Sequence, residues 1–180
     1  MQKFFHKRGR RGFSLVELVI VIVIIGIIAA IAIPRVSRGS KGAGESSLSS
    51  NLAVLRNAIE MYASEHGGDY PGKNGDGTNA AGTAEAVINQ LTKYSKATGE
   101  VSDVRDAANG YVFGPYLRKG IPPLPVGTNR GKSTLKIVTS GPPTADVPGG
   151  YGWVYSLATG EIIANSTEDN DAGDKTYDQY

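Results

Sequence analysis

The chain has no cysteine, and this absence excludes disulfide frameworks, Cys-ligated zinc, iron–sulfur clusters and thiol catalysis together. Histidine is nearly as scarce. His6 and His66 are the only two, too few for a His-rich metal site or a two-His catalytic apparatus. Residues 72–82 are glycine-rich but follow no strand pattern and lack a Lys-Ser/Thr ending, so they do not read as a phosphate loop. No triad pattern appears, and the chain reads as no enzyme. Its 180 residues suffice for one domain but not for two ordinary ones. Twenty-four glycines and nine prolines predict many turns.

The charge of +2 conceals a segregation. Lys3, Lys7, Arg8, Arg10 and Arg11 take five of the 19 basic residues into the first 12, while the first of the 17 acidic residues is Glu17. The remainder is net acidic, so the basicity belongs to a short leader and no nucleic-acid partner is expected.

From Phe13 to Ile33 the sequence is apolar or alanine except at Ser14, Glu17 and Gly26. As a helix this stretch measures roughly 31 Å, the thickness of a bilayer's hydrocarbon core. The basic leader predicts a single-pass topology with the N-terminus in the cytoplasm and the body exported. Glu17 is the anomaly. A carboxylate near the end of a membrane helix costs up to about 3 kcal/mol and normally marks a function. Cleavage between Gly12 and Phe13 would supply a partner, a new α-amine with a pKa of about 7.7–8.0. That amine reaches a neighbour's Glu17 more readily than its own. Two other readings stay open here: an uncleaved anchor, and a secretory signal cut at Ala30-Ile31-Ala32 to release a soluble binding protein from Ile33.

The run Gly12-Phe13-Ser14-Leu15-Val16-Glu17-Leu18 behind a basic leader resembles the class III signal of type IV pilin-like proteins. The resemblance implies that a prepilin peptidase cuts after Gly12 and methylates the amine of Phe13. It also implies that Glu17 acts in filament assembly and that Pro34 sits at a helix kink. The expected organisation is a leader over 1–12, a transmembrane and assembly helix over 13–36, a Gly/Ser-rich flexible helix section over 37–47, and a periplasmic globular domain over 48–180.

Within that domain Leu48, Leu52, Leu55, Ile59 and Tyr62 form a narrow apolar stripe, stopped by Gly67-Gly68. His66, beside that stop, reads as a surface residue. Thr83 can cap a second helix over roughly 84–97. Strands are expected near 111–117, 134–139, 152–156 and 161–164. The layout is α+β: a long N-terminal helix packed on a small antiparallel sheet, with a helix-bearing connecting loop.

Residues 55–62, 68–71, 114–117 and 152–155 resemble the major pseudopilins of type II secretion, and the lack of cysteine agrees with that branch. The resemblance implies a homopolymer in the bacterial inner membrane, with minor pseudopilins and an inner-membrane assembly platform as partners. The alternative within the family is a type IV pilus pilin for adhesion, motility or DNA uptake. It also implies calcium in a C-terminal loop, where Asp169, Asp171 and Asp174 offer hard oxygen ligands. A solvated acidic tail is the competing reading, because no EF-hand Glu closes the loop.

Overall fold

The computed structural model describes residues 12–170 and 173–180, apart from the side chains of residues 31–40. The chain divides into two units, Met1–Ser40 and Lys41–Tyr180, and helix α1 (Leu15–Glu65) contributes to each. In the first unit the described large apolar side chains of α1 from Leu15 to Ile28 are all exposed. The leader lies almost wholly outside the described residues, and the kink expected at Pro34 falls among side chains that are not described.

The second unit holds the core. Leu48, Leu52, Leu55, Ile59 and Tyr62 are all buried, so the stripe read from the sequence is the face α1 turns inward. Glycine and serine are poor helix formers, yet residues 41–47 are helical. The serines adapt by hydrogen-bonding inside the helix: the Oγ atoms of Ser46 and Ser47 donate to the carbonyls of Gly42 and Ala43, at 3.0 and 2.8 Å. α1 ends where Gly67 and Gly68 adopt positive φ and the Gly68 amide donates to the Ala63 carbonyl at 2.8 Å.

The second helix, α2 (Ala84–Thr92), is shorter than expected. Its start is as read, with Thr83 Oγ1 accepting from the Ala86 amide at 3.3 Å. It stops at Lys93 because the chain turns into a short antiparallel hairpin, β1 (Tyr94–Ser95) with β2 (Val101–Ser102). Of the strand expected over 111–117, only bridges at Tyr111 and Phe113 form. Gly114-Pro115 interrupts it, since Gly114 takes positive φ and proline brings no amide donor.

β3 (Leu135–Val138), β4 (Trp153–Ser156) and β5 (Ile162–Ala164) form the main sheet, with β4 in the middle. The α+β architecture agrees with a pilin-like fold. One pairing departs from the antiparallel expectation. β4 pairs antiparallel with β5 but parallel with β3, in the register Leu135 to Trp153. A tight hairpin would force antiparallel pairing; the longer segment between β3 and β4 lets the chain return and start again in the same direction. That segment is tied to the end of β4, where Ser156 Oγ donates to the Gly141 carbonyl at 2.6 Å. All four residues of β4 are buried, so neither of its faces is open to solvent. Trp153 and Tyr155 join the core against α1, and their polar tips donate to the carbonyls of Pro122 and Pro71, at 2.8 and 3.1 Å.

Candidate processing and assembly site

Ser14 and Glu17 meet at the start of α1. The Ser14 Oγ accepts from the Val16 amide at 3.3 Å, and the Glu17 carboxylate accepts from the Ser14 amide at 2.8 Å. The second contact is the Glu half of a capping box, which satisfies an amide that the first turn leaves without a helical partner. Ser-x-x-Glu ahead of an apolar run is this signature in the sequence itself, so Glu17 serves as a cap as well as a charge. Glu17 thus has a partner within its own chain besides the neighbour's amine that cleavage after Gly12 would create. Just before it, Gly12 has open space where a Cβ would stand, and Phe13 is 82% exposed. The bond between them is presented to solvent ahead of the first helical residue.

Two polar centres in the globular unit were not legible as such. His66 is 6% exposed, which corrects its reading as a surface residue. Its ring stacks on Tyr62 at 3.7 Å, and its nitrogens lie 2.8 Å from the Tyr62 carbonyl and 3.0 Å from Ser95 Oγ. It fastens the end of α1 to the hairpin. Beside it, Tyr116 donates to Glu65, and burial together with that carboxylate pushes the Tyr116 hydroxyl pKa up.

The second centre organises the loop that carries α2. Fully buried Gln90 accepts from the Gly72 amide at 2.7 Å and donates to the carbonyls of Asn74 and Gly99, at 3.1 and 3.0 Å. Nearby, Asp76 accepts from the backbone of Thr78 and Asn79 and from the side chains of Asn79 and Asn89. Burial raises the pKa of Asp76, but these donors outweigh it and hold the carboxyl at about 2.

The tail binds back on the body. Asn170 Oδ1 accepts from the amides of Gly173 and Asp174, and its Nδ2 donates to the Asp174 carboxylate at 2.5 Å. Asp169 and Asp174 are exposed, and Asp171 lies outside the described residues. Among the described residues no group of three or more His, Asp or Glu is placed to hold a metal ion. The described part of the tail therefore supplies two of the three carboxylates considered for calcium, and one of these is already engaged by Asn170.

Among the described residues, no helix is long and apolar enough to cross a membrane. No curated protein and no solved structure matches the chain. Residues 7–33 match the family described as the prokaryotic N-terminal methylation motif, a span that contains Gly12, Phe13 and Glu17. That match supports a type IV pilin-like, membrane-anchored protein whose motif implies processing by prepilin peptidase and polymerisation into a filament.

Proposed function

We propose that this chain is a non-enzymatic structural subunit of a type II secretion pseudopilus. It is anchored in the inner membrane through residues 13–36 with its body in the periplasm, cut between Gly12 and Phe13, N-methylated, and polymerised into a filament that acts in export. The observation that carries the reading is the methylation motif over residues 7–33, continued by a helix whose large apolar side chains up to Ile28 have no partner in the monomer. Such a surface is stable only in lipid or against other copies. The exposed bond after Gly12 and the carboxylate at Glu17 are the two features a processed, laterally packing helix uses. The absence of cysteine favours the pseudopilus over the pilus branch, where a C-terminal disulfide is frequent.

Two measurements on cells expressing the native gene test this. Intact-mass analysis of the membrane-extracted protein should give a chain that starts at Phe13 and is one methyl group heavier; a start at Ile33 would replace the reading with a secreted soluble protein. Deletion of the gene should then abolish export of secreted enzymes while leaving surface pili and twitching intact. Loss of pili with normal export would assign the chain to the pilus instead.

A further inference from the structure

In the globular unit, a groove of about 370 Å³ runs along one flank of α1, lined by Asn51, Val54, Leu117, Arg118, Lys119 and Pro122 among others. Its floor is apolar and open: Val54 is 52% exposed, and Met61 further along α1 is exposed as well. Its rim is basic. Arg118 and Lys119 are both exposed and have no ion-pair partner among the described residues, whereas Lys73, Lys93, Lys96 and Lys136 each hold a carboxylate. Glu65, on the same flank, is occupied by Tyr116.

The opposite flank of α1 carries the acidic tail. Arg56 Nη2 donates to the Tyr180 carbonyl at 3.0 Å, and Tyr177 donates to Glu45 at 3.4 Å, which fastens the tail there. At about 100° per residue, Arg56 and Glu45 lie on one side of the buried stripe and Asn51 and Val54 on the other. Glu168, Asp169 and Asp174 are exposed on this tail, with no cationic partner among the described residues. Glu168 accepts from Thr128 and Asp174 from Asn170, both neutral donors. The nearby Lys175 is turned over the Tyr180 ring, 3.7 Å from its centroid.

We propose that the Arg118/Lys119 groove docks the acidic face formed by Glu168, Asp169 and Asp174 of a second copy of this chain, and that this contact holds the globular bodies together in the filament. The proposal rests on the filament reading above. Charge complementarity selects the occupant. The two surfaces lie on opposite flanks of one helix, so a chain cannot close the contact on itself, and the pairing is head-to-tail. A heterologous contact of this kind repeats without closing unless its rotation completes a ring, and so builds helical assemblies. Val54 and Pro122 supply apolar area beneath the charges, which fix register and steer encounter.

The native chain has no cysteine, which permits a clean test. In the full-length chain, Lys119→Cys and Asp169→Cys together should give a ladder of dimers, trimers and higher species when sheared filaments meet a short bis-maleimide, while either substitution alone should stop at dimers. Separately, Arg118→Glu with Lys119→Glu should lower filament yield about tenfold, and adding Glu168→Lys with Asp169→Lys should restore it. The rescue separates a docking defect from a folding defect. Abundant filaments with no ladder and no response to charge reversal would overturn the docking while leaving the filament reading intact. No filaments from the unmodified chain, despite correct processing, would overturn both.

Discussion

A carboxylate in an otherwise apolar helix has to be held by something, and Glu17 has two candidate holders. One is its own Ser14 amide, 2.8 Å away across the capping box. The other is the cationic amine that cleavage after Gly12 would create on a neighbouring chain. The two make different demands. A cap needs an acceptor oxygen, which glutamine supplies as well as glutamate and which contributes about 1 kcal/mol to the helix start. Pairing with an amine needs the charge. Glu17→Gln should therefore leave leader removal and the helix start intact, yet lower the recovery of sheared filaments at least tenfold. Glu17→Ala should lose both cap and filaments. The checks are the mass of the extracted chain and electron microscopy of the sheared fraction. If the Gln variant assembles like the unmodified chain, the cap is the whole role of this side chain.

At the scale of elements, the legible parts were those that local pattern controls. The stripe from Leu48 to Tyr62, the Thr83 cap and the strands near 135, 153 and 162 all appear where their spacing placed them. What was not legible depended on partners far along the chain. The parallel pairing of β3 with β4 is set by where residues between them travel, and His66 is buried because Ser95 and Tyr62 receive it. The loop carrying α2 is the clearest case. Gln90 is polar and fully buried, and it joins Gly72, Asn74 and Gly99 from three stretches of chain that no local pattern brings together. Gln90→Leu keeps similar volume but strands a buried amide and two carbonyls, each at about 1–3 kcal/mol. We expect the variant to lose roughly 3 kcal/mol or more in urea unfolding. Hydrogen exchange in residues 72–101 should rise before it does in the main sheet. Unchanged stability would mean that water replaces the side chain's bonds and that the loop is held elsewhere.

For the molecule as a whole, the question is where the globular unit starts. Composition places the boundary at residue 48, after the Gly/Ser-rich section, whereas contacts place it at Lys41. The difference lies in a few side chains. Gly44 stands so close to Val126 that a Cβ there would come within 3.1 Å of its Cγ1, and Glu45 accepts from the Tyr177 hydroxyl. Residues 41–47 therefore fasten both the 125–126 segment and the tail, and all core residues of the unit lie beyond them. A chain of residues 41–180 should be soluble without detergent and unfold in one cooperative step, as expected for a unit that contains its entire core. A chain of residues 48–180 should fold too, but lose the Tyr177 contact and the first two turns of helix in the unit, at about 1 kcal/mol in all, or about 3–5 °C in Tm for a unit this size. Calorimetry of the two truncations decides between the boundaries. Equal melting temperatures would show that residues 41–47 add nothing to the body and belong to the flexible helix section expected over 37–47. A lower Tm for the shorter chain would make the same residues part of the domain, so that the flexible section must be confined to residues before Lys41.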